Sequence, residues 1–304
     1  KFQNKKTNKK NYIVQNFNKF HYLLFDYCNY IKNTKISKIV IKYNRVIFEM
    51  KDLGIKMLVV DLDRRQVPIE ILNFKNYEEI EVSTTFKIIK KLSKKKINFF
   101  DIGSNHGFYS LCIYAKFLKK KNINIFSFEP VKKIYDVLNK NIELNKFSKK
   151  IIKAHCLGFS NDNKNVNFFH YAAGSGNSSM KKFSSGSVPT ICKVLKLDTF
   201  CKQKKTIPDF VKIDTEGSEA LVVQGGNNVI QKYKPVFLIE ILRKWSFDQN
   251  YNKVIELFIE NNYIIFSFLP RGLKEISRIT EKTKATNFLF LEKIKHKSII
   301  SQLR

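Results

Sequence analysis

The chain has 304 residues, of which 43% are hydrophobic and 13% aromatic, so it can bury the core of one large or two modest domains. Its five Cys form no C-x-x-C pair and no cluster with His. This pattern is typical of reduced, buried thiols in a cytoplasmic protein, and not of a disulfide framework or a zinc site. No apolar run reaches the roughly 20 residues that span a bilayer. The chain begins at Lys1, which predicts a fragment or a trimmed chain and leaves a removed signal peptide open.

The formal net charge is +30, and it comes almost entirely from lysine. Only seven of the 56 basic residues are Arg, although proteins that read bases or clamp phosphates rely on the planar, bidentate guanidinium. The Lys excess accompanies many Asn and Ile residues, the amino acids that AT-rich codons encode. We therefore interpret the charge as a solvated lysine surface, with an anionic partner as the alternative.

Residues 1–75 predict a helix followed by short strands. Apolar residues recur every three or four positions, which predicts an amphipathic helix that docks one face on the protein's own sheet. The alternative is that this face meets a partner or a membrane. Runs of β-branched and aromatic residues at 36–43, 46–50 and 55–61 predict an antiparallel β elaboration. The apolar positions of the helix are Ile13, Phe17, Phe20, Leu24, Tyr27 and Ile31.

Residues 76–295 predict one α/β domain, and residues 296–304 a tail. Short apolar strands alternate with helices, which predicts a doubly wound, mostly parallel sheet of seven strands covered on both faces. Right-handed crossovers place the loops that follow the strands along one edge, where such sheets bind ligands. Small polar residues at 172–187 predict either a mobile loop over the site or a disordered surface insertion. The predicted strands are 97–102, 123–129, 151–157, 208–214, 235–241, 263–268 and 286–292, and the predicted helices are 76–96, 107–120, 131–146, 217–231 and 248–262.

The first motif occupies residues 99–107, where an apolar strand ends at Asp101. Gly103 and Gly107 then bracket a tight turn into a helix, and glycine suits a turn that needs a positive φ or a close approach to a ligand. The spacing lacks the third glycine of the dinucleotide-binding pattern. An acid at the end of the strand suits a cationic, amine-bearing ligand.

The second motif, at residues 126–130, ends the next strand with Glu129. A carboxylate at this place can accept hydrogen bonds from both ribose hydroxyls of a nucleoside that lies across the first turn. Pro130 suits the first turn of the helix that follows. The alternative is that Glu129 only interacts with the dipole of that helix.

The third motif, at residues 208–219, brings three carboxylates into one turn between a strand and a helix. They belong to Asp214, Glu216 and Glu219. Like charges this close should raise at least one pKa, which gives a site an acid or a base near neutral pH. The alternative is that Thr215 or Asp214 only caps the helix, with Glu at favoured first-turn positions.

These motifs and several others resemble the FkbM-type methyltransferase family over about residues 97–242. The order and spacing of the blocks make the resemblance more specific than any one motif. It implies a class I, Rossmann-like methyltransferase that uses S-adenosylmethionine to methylate, in most cases, a hydroxyl of a sugar, glycan, lipid or secondary metabolite. The matching blocks are residues 100–111, 128–130, 139–145, 197–200, 212–219, 224–226 and 234–240.

The resemblance also implies roles for the residues that match the family's motifs. The cofactor would contact Asp101, Gly103, Asn105 and Gly107 through its methionine part and Glu129 through its ribose. Ser104 and Pro130 would also bind it. The turn 156–159, which includes Leu157 and Gly158, would face the adenine, with Asp162 near it. The catalytic edge would carry Asp214, Glu216, Glu219 and Glu240.

We predict that Asp214 is the general base and that Glu216 or Glu240 orients the acceptor. No His-rich ligand set predicts a metal, although the acidic turn leaves a divalent ion open. His106 stands where the family usually has an apolar residue. We predict that it faces solvent, and contact with the substrate is the alternative.

Two other functions compete with this hypothesis. An RNA methyltransferase would use the basic surface, but the turn Asp214–Gly217 lacks the Pro-Pro-Tyr/Phe loop of enzymes that methylate exocyclic base nitrogens, and its acids would repel phosphate. A non-catalytic, Lys-rich nucleic-acid-binding module would sit on a degenerate fold. The intact Asp-x-Gly turn and Glu129 argue against that degeneration.

Overall fold

The structure is a computed structural model and describes residues 8–118, 122–171, 174–175, 178–180, 186–242, 251–270 and 272–303. Its strands form a central sheet of eight strands and two smaller sheets of three strands each. In this part of the chain, no helix has the length and apolar character that crossing a membrane requires.

The helices and strands follow one another in the order of an α/β chain with an N-terminal extension. The helices are α1 (Lys9–Asn16), α2 (Tyr22–Ile31), α3 (Val67–Phe74), α4 (Glu79–Lys91), α5 (Phe108–Phe117), α6 (Lys132–Leu144), α7 (Leu197–Lys204), α8 (Glu219–Gly225), α9 (Asn252–Glu260) and α10 (Lys297–Leu303), with π-helical turns at Phe17–His21 and Val229–Tyr233. The strands are β1 (Ile36–Lys42), β2 (Arg45–Met50), β3 (Lys56–Val59), β4 (Lys96–Ile102), β5 (Asn122–Phe128), β6 (Ile152–His155), β7 (Gly158–Phe159), β8 (Lys164–His170), β9 (Val188–Leu195), β10 (Phe210–Ile213), β11 (Val236–Glu240), β12 (Tyr263–Leu269), β13 (Gly272–Ile276) and β14 (Asn287–Glu292).

The central sheet confirms the predicted doubly wound α/β fold. Its strand order is β13-β12-β14-β11-β10-β4-β5-β6, and β4, β5, β6, β10 and β11 pair in parallel. The seven predicted strands are all present. An eighth, β13, pairs antiparallel with β12 at the outer edge, a hairpin that its mostly exposed residues did not predict.

The central strands are buried on both faces, which explains their continuous apolar runs. In β4, Ile97 and Phe99 pack into one hydrophobic cluster with α5 and α6, whereas Phe100 and Ile102 pack into a second cluster with α7, α8 and α9. The helices therefore cover both faces, and the loops that follow the parallel strands meet at one edge.

The described part of the region between β6 and β10 contains more secondary structure than its polar composition predicted. Strands β7, β9 and β8 form a small sheet in that order, and α7 follows. Only Phe168 of β8 and Cys192 and Val194 of β9 are buried, so their apolar signal is weak. The predicted helix 217–231 is divided into α8 and a π-helical turn, and the predicted tail contains α10, where Ile299 and Ile300 are buried.

The predicted antiparallel elaboration is present as β1, β2 and β3, and helix α6 holds it against the domain. The Asn145 side chain accepts a hydrogen bond from the Lys56 amide at 2.7 Å and donates one to its carbonyl at 2.6 Å. The Asn141 side chain accepts one from the Leu58 amide at 2.9 Å. Asn141 of α6 and the C-cap residue Asn145 therefore satisfy three backbone hydrogen-bonding groups on the outer edge of β3.

The prediction that the N-terminal helix docks on the protein's own sheet is wrong. No residue of α1, α2 or the π-helical turn between them is buried. Apolar periodicity indicates that a helix face requires covering, but it does not indicate whether the protein's own sheet or a partner covers it.

All five cysteines are free thiols. The prediction that they are buried is confirmed for Cys112, Cys192 and Cys201 and wrong for Cys28 and Cys156, which are exposed. Cys28 lies on the exposed helix α2, which accounts for its exposure.

Candidate active site

A cavity of about 510 Å³ lies where β4, β5, β10 and β11 end. The described residues that line it include seven of the nine predicted cofactor residues, but not Gly107 or Leu157. All three predicted catalytic acids also line it. The predicted residues brought together are Asp101, Gly103, Ser104, Asn105, Glu129, Pro130, Gly158, Asp214, Glu216 and Glu240.

The glycines of the first motif serve close packing of the protein itself. Gly103 has φ +77°, and a Cβ there would lie 1.7 Å from the backbone oxygen of Asp214. Gly107 has φ +89°, and a Cβ there would lie 2.4 Å from Leu138 Cδ1. The first turn therefore touches the end of β10, which brings the first and third motifs together.

The Asp101 carboxylate is buried at the end of β4. Its Oδ2 accepts hydrogen bonds from the Ser110 amide at 3.1 Å and the Ser110 hydroxyl at 2.6 Å. Its Oδ1 has no hydrogen-bond partner among the residues that the structure describes. Burial raises the pKa of Asp101, although Lys212 and the bonds from Ser110 oppose that rise. One oxygen thus remains available to a ligand.

Glu129 closes the same side of the cavity. Its two oxygens accept hydrogen bonds from the amides of Asn105 at 3.1 Å and Val131 at 2.9 Å. Burial raises the pKa of Glu129 to about 7, even though both amide bonds favour the charged form. The carboxyl is therefore poised to ionise near neutral pH.

This shift predicts a pH-dependent contribution to stability. Between about pH 4.5 and pH 7 the folded state holds a proton on Glu129 that the unfolded state has released, so the free energy of unfolding falls as the pH rises. The Glu129→Gln variant lacks this fall, and across that window its stability should gain about 3 kcal/mol relative to the wild type. Urea unfolding at several pH values measures the difference.

Glu256→Gln, an exposed position on α9, provides the same chemical change outside the cavity. A difference between wild type and Glu129→Gln that stays constant over this pH range would contradict the assignment.

At the end of β10, the strand next to β4, Lys212 and Asp214 form a largely buried ion pair. Lys212 Nζ lies 2.8 Å from Asp214 Oδ2 and 4.6 Å from the centroid of the Tyr109 ring. Burial alone would lower the pKa of Lys212, but the charges of Asp214, Glu78 and Asp101 outweigh it and the pKa is raised. The Lys212 ammonium therefore stays charged among several acids.

The three predicted catalytic acids differ in their protonation. Burial alone would raise the pKa of Asp214, but the Lys212 ammonium and a hydrogen bond from Glu240 lower it. Burial and the Asp214 charge raise the pKa of Glu216 to about 9 and that of Glu240 to about 11. Near neutral pH, Asp214 is ionised and the other two hold protons.

Glu216 also combines a strained backbone with a free oxygen. Its φ is +51°, which is uncommon for a residue with a side chain. Its Oε2 is buried without a hydrogen-bond partner in the described ranges. Such outliers cluster at ligand sites, where the surrounding fold imposes them.

Glu219 does not line the cavity, so its predicted place on the catalytic edge is wrong. Its Oε1 accepts hydrogen bonds from the Thr215 amide at 3.1 Å, the Thr215 hydroxyl at 3.1 Å and the Gly217 amide at 3.0 Å. The Glu219 side chain therefore holds the acidic turn in shape from a first-turn position of α8, as the capping alternative predicted. The N-cap itself is Ser218, and not Thr215 or Asp214 as that alternative had it. Within the described ranges, no three His, Cys, Asp or Glu side chains converge to hold a metal ion.

His106 is buried, so the prediction that it faces solvent is wrong. Its Nε2 lies 4.0 Å from Asp63 Oδ2, and both side chains are almost fully enclosed. Burial lowers the pKa of His106 to about 4, against the opposite effect of Asp63. The N-terminal region supplies Asp63, which explains why the local motif did not reveal this burial.

The predicted loop 172–187 lies largely outside the described residues. Of its described part, Ser175 and Ser178 line the cavity, and the Ser179 hydroxyl donates a hydrogen bond to the Glu216 carbonyl at 2.8 Å. These contacts place the described part of the loop beside the site. The turn predicted to face the adenine contributes Gly158 and Phe159 to the cavity, whereas Cys156 and Asp162 are exposed outside it.

A family model described as the methyltransferase FkbM domain matches residues 101–265, more than half of the chain. The chain belongs to the FkbM methyltransferase family. No curated protein sequence matches it significantly.

Several solved structures are similar to this FkbM chain at low identity. A methyltransferase FkbM from Methylobacillus flagellatus is 17% identical with a TM-score of 0.45, and the match covers 77% of this chain and 55% of that one. The chain thus spans about half the length of that protein. A SAM-dependent methyltransferase from Agrobacterium tumefaciens is 10% identical with a TM-score of 0.45, covering 83% and 71% of the two chains. An O-methyltransferase from Bacillus cereus in complex with SAH is 10% identical with a TM-score of 0.38, covering 71% and 82%.

Part of the cavity comes from residues that precede the matched FkbM domain, and sequence reasoning missed them. Glu78 is the N-cap residue of α4 and has φ 43°. Its carboxylate accepts a hydrogen bond from the Tyr109 hydroxyl at 2.6 Å. Tyr77 packs edge-on against Phe108, with ring centroids 5.4 Å apart. Arg65, which precedes α3, and Val67 and Glu70 of α3 complete this wall. No local motif marks these positions, because only the tertiary fold brings them to the site.

Proposed function

We propose that the chain transfers the methyl group of S-adenosylmethionine to a hydroxyl oxygen of a sugar, glycan, lipid or secondary metabolite. Membership of the FkbM family supports methyl transfer. The observation that carries the proposal is that the carboxyls of Asp101 and Glu129, from neighbouring strands, line one cavity together with the acidic turn. The free thiols are compatible with the reducing cytoplasm, where we propose that the chain acts.

The residues on the β4 and β5 side fit this cofactor. Asp101 Oδ1 is a buried acceptor without a partner among the described residues, and it can receive the ammonium of the methionine part. Glu129 can accept the ribose hydroxyls once it is ionised. When bound, S-adenosylmethionine would supply an electrophilic methyl group on a cationic sulfonium, which an acid-rich cavity favours.

The residues on the β10 and β11 side fit a hydroxyl acceptor. Asp214 is the ionised member of the acid cluster near neutral pH, so it can accept the hydroxyl proton. Glu240 and Glu216 hold protons that they can donate in hydrogen bonds to the acceptor. Lys212 holds Asp214 in place at 2.8 Å. The acids around the cavity would repel a phosphate backbone, which disfavours RNA as the acceptor.

Titration calorimetry with S-adenosylmethionine and S-adenosylhomocysteine tests the cofactor. We expect both to bind the wild type, and we expect Asp101→Asn to weaken binding by roughly tenfold or more, because a charge-assisted hydrogen bond contributes about 1.5–3 kcal/mol. Asp136→Asn, an exposed position on α6, should retain the wild-type affinity. Absence of heat with both ligands would refute the proposal, and a screen of glycan and lipid acceptors then addresses the second substrate.

A further inference from the structure

The N-terminal helical segment, residues 9–32, exposes an unusual amount of apolar surface. It carries eleven of the 21 large hydrophobic side chains that are exposed in the described chain. Phe25 and Tyr30 are 60% and 58% exposed. Soluble proteins seldom leave a contiguous apolar patch of this kind in water, and such patches mark interaction sites. The eleven are Tyr12, Ile13, Val14, Phe17, Phe20, Tyr22, Leu23, Leu24, Phe25, Tyr27 and Tyr30.

The charges of the same segment select the kind of partner. Residues 9–32 contain four lysines and one acid, Asp26. Lysine stems and tyrosine rings are amphipathic, so both suit a boundary between an apolar phase and water. A basic helix rich in Phe, Leu and Tyr is typical of segments that lie in the plane of a membrane, and anionic lipids attract its lysines.

A second copy of the chain fits this surface less well. Each copy carries a net charge of +30, so two copies brought together at their basic helices repel each other. An anionic lipid surface attracts the same charge and also covers the apolar side chains. The helix does not meet the requirements for crossing a bilayer, which favours a position along the surface.

We propose that residues 9–32 bind the surface of an anionic lipid bilayer, with the Phe, Leu and Tyr side chains inserted at the level of the headgroups and the lysines paired with lipid phosphates and carboxylates. At 1.5 Å per residue the segment extends for about 35 Å along the membrane. Because α2 ends next to β1, the bound helix tethers the whole domain to the lipid surface.

Sedimentation of the full chain with vesicles tests this proposal, in the presence of a reductant because Cys28 is exposed. Vesicles of phosphatidylcholine alone are compared with vesicles that also contain phosphatidylserine. We expect binding to the anionic vesicles and little to the neutral ones, with a fall in affinity as salt is added.

Two triple variants separate the helix from the general lysine surface. Phe20→Ser, Leu24→Ser and Phe25→Ser together should weaken vesicle binding by roughly tenfold or more, because three large apolar side chains are lost. Ile41→Ser, Val188→Ser and Ile191→Ser together remove equally exposed apolar side chains elsewhere and should leave binding unchanged. All six positions are exposed, so folding should persist, and circular dichroism checks it.

Three results would overturn the proposal. The first is equal binding of the helix variant and the wild type to anionic vesicles, which would assign binding to the lysine surface at large. The second is equal binding to neutral and anionic vesicles. The third is self-association of the wild type without lipid, abolished in the helix variant, which sedimentation velocity would detect and which would make a second copy the partner. None of these readouts depends on methyl transfer.

Discussion

Asp214→Asn is expected to lower methyl transfer by about 10²–10⁴-fold, the usual contribution of a positioned general base. The substitution keeps the size of the side chain but removes the carboxylate that is ionised near neutral pH. Affinity for S-adenosylmethionine should change little, since the contacts proposed for the cofactor come from Asp101 and Glu129 and not from Asp214. The rate is measured with an acceptor from the glycan and lipid screen, and the affinity by calorimetry.

Glu240→Gln is the matched control for this prediction. Because Glu240 holds a proton, glutamine reproduces both its neutral charge and a hydrogen-bond donor, so the loss of rate should be much smaller. Asp162→Asn repeats the aspartate change at an exposed position outside the cavity. A full rate in Asp214→Asn with cofactor binding retained would remove Asp214 from the role of base.

Gly103→Ala is expected to destabilise the fold by more than about 3 kcal/mol. An L-residue at φ +77° costs about 1 kcal/mol, and overlap of the new methyl group with packed atoms costs about 1–3 kcal/mol or more. The overlap here is severe, because the Cβ would lie 1.7 Å from the Asp214 carbonyl oxygen and neither backbone can yield without moving a core strand. Urea unfolding measures the change.

Gly54→Ala separates the two contributions. Gly54 has φ +61°, but no atom lies within 4 Å of a Cβ placed there. Its replacement should therefore cost only the backbone strain, about 1 kcal/mol. If both variants lost the same free energy of unfolding, the close approach of the first turn to β10 would not be the reason for glycine at position 103.

The central sheet and the part of the cavity formed by the ends of its strands could be predicted because their signals are local. Each core strand is a short apolar run, and Asp101, Glu129 and Asp214 come directly after or at the end of such a run. Parallel strands then bring their ends to one edge by geometry alone. Which of the acids hold protons depends on their burial and on the charge of Lys212. The spacing of residues in the sequence does not indicate either of these.

The wall of the cavity that the residues before the matched domain contribute could not be predicted, because it depends on contacts between distant segments. Glu78 reaches Tyr109 across 31 positions, and Asp63 meets His106 across 43 positions. Neither pair is indicated by a motif in the local sequence around its residues. The prediction for the N-terminal helix was wrong for a different reason. Apolar periodicity indicates that a helix face requires covering, but it does not identify the partner that covers it.

The way in which α6 meets β3 has a consequence for solubility. A strand at the rim of a sheet presents unpaired amides and carbonyls, which can recruit a strand from another molecule and start aggregation. Here Asn141 and Asn145 occupy the backbone groups of Lys56 and Leu58 that an incoming strand would need. Asn141 of α6 and the C-cap residue Asn145 thus act as a barrier to strand addition at this edge.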